Sequence, residues 1–306
     1  MSVSVTPTPF STSVESFIGN TPLLPLSHAG ANQVKIAAKL EWQQLGGSVK
    51  ARAAYRIIRD AINRGELRQD RRLLDATSGN TGIAYAAILS RLGLPLTLFV
   101  PENASEERKT LFKALGAEVR YTSRYESTEG AQEAARELAE MHPESYFYAD
   151  QYSNPSNWKA HYESTADEIW KQTDGQITHF VAGLGTTGTF IGTGRRLKEL
   201  NPDIKLIALQ PDSALHGLEG WKHLESAGSP SIYDHRLADR FIDISTENAY
   251  AAIREAARNE GVLLSPSSAA NLSGAQRIAS EIDQGFVVTM FPDDYSKYGS
   301  VINNLF

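Results

Sequence analysis

Cysteine is absent from the 306 residues, which excludes disulfides, thiolate metal sites and a cysteine nucleophile. Positive charge is not in surplus: 30 Lys and Arg face 36 Asp and Glu, a formal charge of −6. Nucleic acid is therefore a poor partner, since neutralising phosphates takes clustered cations. No uninterrupted apolar run is long enough to span a bilayer. The Ser-, Thr- and Pro-rich stretch Met1–Ser13 lacks the basic start and apolar stretch of a secretory signal and the arginines of a transit peptide. It reads as a flexible arm, and the cytosol follows as the default location. Histidines 28, 142, 161, 179, 216, 223 and 235 show no H-x-x-x-H spacing for zinc. Neither a G-x-S-x-G elbow nor a Gly-Lys-Ser/Thr phosphate loop occurs. Acidic pairs such as Asp293-Asp294 read as solvated turn residues.

What is present is alternation. The length suggests about two domains at roughly 150 residues each. Apolar runs at Ile36–Leu40, Leu73–Ala76, Leu96–Val100, Glu118–Tyr121, His179–Ala182, Leu206–Leu209 and Phe286–Phe291 read as strands. Helical patterns separate them. Ala54, Ile57, Ile58, Ala61 and Ile62 form one apolar stripe closed by Gly65, Ile83–Leu92 is stopped at Gly93, and Ser105 can cap the helix that carries Leu111, Phe112 and Leu115. Such alternation predicts an α/β protein with two open, twisted, mostly parallel sheets covered by helices. In that architecture chemistry gathers at the carboxyl ends of strands, where helix N-termini face a crevice.

Three loops suit that place. Lys50 follows Leu45-Gly46-Gly47-Ser48-Val49 and falls in the first turn of a helix, where the dipole disfavours a cation and lowers the amine's pKa. On its own it reads more readily as a surface lysine at a helix start. Thr77-Ser78-Gly79-Asn80-Thr81-Gly82 joins a strand to a helix with more small polar residues than a cap needs, and so predicts a carboxylate or phosphate site. Gly183-Leu184-Gly185-Thr186-Thr187-Gly188-Thr189 matches the dinucleotide pattern G-x-G-x-x-G, but the next strand ends in Gln210-Pro211 instead of the acid that would hold a ribose. Its consecutive threonines suit a phosphate monoester better.

Taken together these residues resemble the β-family (fold type II) pyridoxal-phosphate (PLP) enzymes, the tryptophan synthase β-like fold, and most closely the cysteine synthases, O-acetylserine sulfhydrylases of the B type. The similarity runs from Ile18-Gly19-Asn20-Thr21-Pro22-Leu23 to Tyr298 through Lys39-Leu40-Glu41, Gly47–Lys50, Ala76–Gly82, Asp150–Pro155 and Gly185–Thr189. Leu209-Gln210-Pro211 with Gly217 and Trp221 looks like the B type. The resemblance implies that Lys50 forms the internal aldimine and serves as general base. It further implies that Asn80 meets the ring oxygen, that Gly185, Thr186, Thr187, Gly188 and Thr189 hold the phosphate, and that Ser267 or a neighbouring serine faces the ring nitrogen. Thr77, Ser78, Gly79 and Thr81, with Gln151, would bind the substrate carboxylate. The implied reaction is β-replacement: O-acetyl-L-serine and sulfide give L-cysteine and acetate through an aminoacrylate.

A related β-replacement enzyme using O-phosphoserine, or forming cystathionine or diaminopropionate, is an alternative, as is a non-catalytic PLP-binding paralogue. A phosphoserine enzyme would want a cation near the leaving group. Lys222 and Arg236 lie in the right region, although both read as surface charges. The resemblance also implies a homodimer, a smaller domain over 43–152, a larger one over 13–42 plus 153–306, and an arm over 1–12. The chain departs from the family at Trp42–Leu45, Ala51, Ser265-Pro266 and Ala269, and none of these removes a residue with a chemical role.

Overall fold

All seven apolar runs are strands in the computed structural model, which describes residues 14–27 and 33–306; the N-terminal arm lies outside the described residues. In chain order the first elements are β1 (Leu23–Leu26), β2 (Gln33–Leu40), α1 (Lys50–Asn63), β3 (Arg72–Ala76), α2 (Asn80–Leu92), β4 (Leu96–Pro101), α3 (Glu106–Ala114), β5 (Glu118–Thr122), α4 (Ser127–Met141) and β6 (Tyr146–Tyr148). There follow α5 (Pro155–Ala160), a π-helical turn over His161–Thr165, α6 (Ala166–Gln172), β7 (His179–Gly183), α7 (Gly188–Leu200), β8 (Lys205–Pro211) and α8 (Leu224–Ala227). The chain closes with β9 (Arg240–Ile244), α9 (Thr246–Asn259), α10 (Pro266–Glu281), β10 (Gln284–Phe291) and α11 (Gly299–Leu305).

The strands form a six-stranded sheet in the order β1-β2-β10-β7-β8-β9 and a four-stranded sheet in the order β5-β4-β3-β6. Every pairing is parallel except β1 with β2. β10 lies at the centre of the larger sheet, in register with β2 from Gln284↔Gln33 to Phe291↔Leu40, and Val287 to Phe291 are all buried. That burial on both faces is why its sequence reads as a continuous apolar run. β1, β6 and β9 carry no such signal. β1 contains Pro25 and pairs along one edge, β6 has only three residues, and β9 alternates Arg240 and Asp243 with apolar residues on the other edge.

The helices begin and end where the local chemistry dictates. Gly93, in the left-handed region at φ 64°, stops α2, and Gly65 at φ 71° follows α1. The Ser105 side chain accepts from the Arg108 N–H to cap α3. α10 is capped by Ser265, whose Oγ accepts from Ser268 N, and Pro266 occupies the first turn.

One buried ionic cluster ties α1 to the larger sheet. Arg52 donates Nε and Nη2 to Glu41 at 2.7 and 2.9 Å, and Nη1 and Nη2 to Glu168 at 2.7 and 2.8 Å. Lys39 Nζ donates to Glu168 and to the Thr21 carbonyl, both at 2.7 Å. Burial opposes all these charges, but their mutual attraction outweighs it for the carboxylates: Glu41 is held below its ordinary value and Glu168 at about 2.

Candidate active site

The carboxyl ends of β3, β6, β7 and β10 open onto one cleft of about 400 Å³ and a smaller chamber beside it. Both are lined by Lys50, Asn80, Gly185 and Thr186. Thr77, Ser78, Gly79, Thr81 and Gln151 line the outer cleft, and Thr187, Thr189 and Ser267 the inner chamber. Gly188 starts α7 against Asn157. The residues singled out in the sequence therefore come together around one cavity.

Lys50 is the first residue of α1. Val49 before it is buried, with its N–H donating to the Pro292 carbonyl at 2.8 Å, and this fixes the start of the helix against the end of β10. The Lys50 amine is lowered in pKa chiefly by burial, which the negative charge of Asp293 partly offsets. The lowering expected from the helix dipole thus has desolvation as its main cause.

The loop after β7 is built for close approach. A Cβ on Gly185 would lie 2.1 Å from the Gly220 carbonyl oxygen, and one on Gly188 2.0 Å from Asn157 Oδ1. Thr187 adopts φ 70°, a left-handed conformation that costs a β-branched residue about 1–2 kcal/mol. It immediately precedes the 13-residue α7 and lines the chamber at that helix's N-terminus. Thr187 Oγ1 is buried without a hydrogen-bond partner among the described residues. Asn157 Nδ2 donates to Thr186 Oγ1 at 3.1 Å and to the Gln151 carbonyl at 2.6 Å. His161 Nε2 lies 3.2 Å from Thr189 Oγ1 and Nδ1 2.9 Å from Thr165 Oγ1; burial, then Arg52, holds its pKa down at about 3, so it is neutral at pH 7.

The loop after β3 is stiffened from within. Thr77 Oγ1 accepts from Gly79 N at 3.1 Å, Thr81 Oγ1 donates to Gln151 Oε1 at 2.6 Å, and Gln151 Nε2 donates to the Ala76 carbonyl at 3.0 Å. Asn80 Nδ2 donates to Asp293 Oδ2 at 2.8 Å, while Asn80 Oδ1 is buried and unpartnered among the described residues.

Asp293 corrects the reading of the Asp293-Asp294 pair. Asp294 caps the turn at Tyr295–Lys297, but Asp293 is fully buried. Its carboxylate accepts from Asn80, from the Tyr298 hydroxyl at 2.8 Å and from Ser267 Oγ at 3.4 Å. Its place just past β10 was the available signal, outweighed by the polarity of the pair. Ser265, not Ser267, is the helix cap, so the Ser267 hydroxyl is left to face the chamber and Asp293. Lys222 also departs from expectation: it lines the cleft and pairs with Glu129 at 2.8 Å, whereas Arg236 is exposed and pairs with Asp234. Arg108, from α3, reaches across the mouth to Glu219 and lies over the Tyr298 ring at 5.2 Å. No periodic signal marked Arg108, because the pairing crosses 111 residues of sequence.

The chamber suits a phosphate: Thr186, Thr187 and Thr189 line it at the N-terminus of α7, and Thr187 Oγ1 is buried and bare among the described residues. Lys50, the bare Asn80 Oδ1 and Ser267 line the same chamber and offer an amine, an acceptor and a hydroxyl to a polar ring. Residues 14–293 match the family described as "Pyridoxal-phosphate dependent enzyme". The chain belongs to that family, and its cofactor is PLP. A cysteine synthase of Aquifex aeolicus is 48% identical over 289 residues, covering 92% of this chain and 88% of the relative. Cysteine synthase B of Escherichia coli is 38% identical over 288 residues, 93% of each chain. The crystal structure of a cysteine synthase from Entamoeba histolytica superposes with a TM-score of 0.90 at 31% identity, over 100% of this chain and 94% of the other. The fold is accordingly that of the cysteine-synthase group of PLP enzymes.

Proposed function

We propose that this PLP enzyme is an O-acetyl-L-serine sulfhydrylase, which replaces the acetyl group of O-acetyl-L-serine with sulfide to give L-cysteine and acetate. The observation that carries the reading is the placement of the half-buried Lys50 between two loops, one suited to a phosphate and one to a carboxylate, in a chain 48% identical to a cysteine synthase.

PLP, when bound, supplies an aldehyde for an amine and a ring that acidifies the Cα–H of an attached amino acid. Lys50 would be the amine that holds it, and the same amine, biased to the neutral form by burial, would take the proton from the donor Cα and later return it. Gly185, Thr186, Thr187, Gly188 and Thr189 hold the phosphate, with His161 orienting the Thr189 hydroxyl. Asn80 would meet the ring oxygen and Ser267 the ring nitrogen. Thr77, Ser78, Gly79, Thr81 and Gln151 take the donor carboxylate and so aim its Cα–H at Lys50. The buried, hydrogen-bonded walls limit water, which would otherwise compete with sulfide for Cβ.

The reading divides the chain into a smaller domain, 43–152, carrying Lys50 and the carboxylate loop, and a larger one, 13–42 plus 153–306, carrying the phosphate loop. All four strands of the smaller sheet fall between residues 72 and 148, which supports it. It also makes the protein a cytoplasmic homodimer; light scattering at micromolar concentration would test the dimer. The main test is spectroscopic. The purified enzyme should show a visible band of bound PLP that shifts on adding O-acetyl-L-serine and returns when sulfide is added, with L-cysteine released. A band that O-acetyl-L-serine leaves unchanged would refute the donor, and absence of any band would refute the site.

A further inference from the structure

Asp75 is the penultimate residue of β3, directly behind the carboxylate loop, and is 1% exposed. Its Oδ1 accepts from the Ala76 N–H at 2.9 Å, and the Gln151 N–H also bonds to its carboxyl. Ala76 in turn accepts from the Gln151 side chain, which accepts from Thr81. The carboxyl therefore touches the backbone from which the proposed donor-carboxylate groups hang. Its second oxygen, Oδ2, has no well-aligned partner, and neither has the hydroxyl of Tyr85, which faces it from α2. A buried carboxylate with one bare oxygen is costly to ionise. The other ionisable groups around it are Tyr148 at the end of β6 and Asp150 and Tyr152 in the following loop, while Arg136 and Glu129 of α4 act on those tyrosines. Burial pushes Asp75 up to about 7, with Asp150 adding to the rise and the bonds from Ala76, Tyr85 and Gln151 opposing it.

We propose that Asp75 is a positioning residue whose carboxyl takes up a proton as the donor's carboxylate binds, so that donor affinity falls as pH rises through neutrality. The inference rests on the reading of Thr77–Thr81 and Gln151 as the donor-carboxylate site. Two negative charges at the end of one strand disfavour each other, and the interior one yields by protonation. By linkage the protonated enzyme binds the donor more tightly.

Calorimetry of the PLP-loaded enzyme tests this, with L-serine as a probe that has the donor's carboxylate and amine but no acetyl leaving group. Titrations at pH 7 in two buffers of different ionisation enthalpy give the protons exchanged on binding. Wild type should take up a larger fraction of a proton than Asp75→Asn. Both proteins share the release of the L-serine ammonium proton, so the ratio of wild-type to Asp75→Asn Kd is the readout, and between pH 6 and 8 it should rise by up to about tenfold, one pKa unit of coupling. Tyr85→Phe serves if Asp75→Asn fails to fold. Removing the opposed hydroxyl should move the midpoint of the Kd profile to higher pH. Equal proton counts in wild type and Asp75→Asn, or an unmoved midpoint in Tyr85→Phe, would overturn the proposal. The visible band separates this from failure of the parent reading: a band that shifts with L-serine while proton counts stay equal removes only the role of Asp75, whereas a band unmoved by L-serine removes both.

Discussion

Replacing Arg52 with Met removes the guanidinium that holds Glu41 and Glu168 together and leaves a side chain of similar length. Glu168 lies at about 2 against an ordinary 4.5, and at about 1.4 kcal/mol per pKa unit its ionised form is favoured by roughly 3 kcal/mol. Burial opposes that ionisation, so the partners Arg52 and Lys39 supply more than the net figure. Breaking a buried pair typically costs about 3–5 kcal/mol because a desolvated charge stays behind, so Arg52→Met should lose stability in that range at pH 7. The pH dependence should also change sign. In the wild type the depressed Glu168 contributes stability that is present above about 4.5 and lost as pH falls toward 2. In the variant Glu41, fully buried beside the gap, faces the burial penalty without its guanidinium, its pKa rises, and the protein should be less stable at pH 7 than at pH 5. Urea midpoints of the PLP-loaded enzyme, followed by the fluorescence of its 4 Trp and by the visible band, measure both. A loss under about 1 kcal/mol with an unchanged pH slope would refute the view that the cluster fixes α1.

Lys50→Ala should abolish turnover and the visible band of covalently held PLP, while the phosphate loop still retains cofactor after desalting. Gly185→Ala should weaken PLP binding at least tenfold, about 1.4 kcal/mol, because its Cβ would meet the Gly220 carbonyl at 2.1 Å; equilibrium dialysis reads it directly. Asp293→Asn removes the charge that offsets the burial of Lys50, so the amine's pKa should drop further and the acid limb of PLP uptake by the apoenzyme should move to lower pH. Asp75→Asn should stabilise the protein at pH 8 and not at pH 4, since a carboxyl raised from 3.8 to about 7 contributes stability at low pH that is lost as pH rises through neutrality; thermal melts at the two pH values check it. Ser267→Asp, facing the chamber beside Asp293, should shift the absorption of bound PLP and the partition between elimination and replacement; unchanged spectra and products would count against a role at the ring nitrogen.

The sequence made the frame legible because buried parallel strands announce themselves: β10, β7 and β8 are continuous apolar runs closed by glycine or proline. Edge strands such as β9 do not, since one side faces water and the apolar residues alternate with charge. The two polar loops and Lys50 were legible because strand–loop–helix spacing puts them at carboxyl ends. What stayed hidden were partners across long separations. Asp293 looked like a turn residue until β10 carried it beside Asn80, 213 residues earlier in the chain. Arg52 carried no sequence signal of its own, because its partners Glu41 and Glu168 lie 11 and 116 residues away. In both cases burial turned an ordinary charge into a determinant of the site, and burial of this kind depends on tertiary contacts that local pattern does not encode.

Asn157 is the feature with the widest reach. One side-chain amide is shared between the carbonyl of Gln151, on the wall proposed for the donor, and the hydroxyl of Thr186, on the wall proposed for the phosphate. The two proposed recognition events thereby share a single nitrogen. Ordering either wall lessens the conformational freedom left for the other to lose, and by thermodynamic reciprocity the preference runs equally in both directions. On the proposed reading, in which Thr186 holds the phosphate and Gln151 the donor carboxylate, each ligand would bind more tightly for the presence of the other.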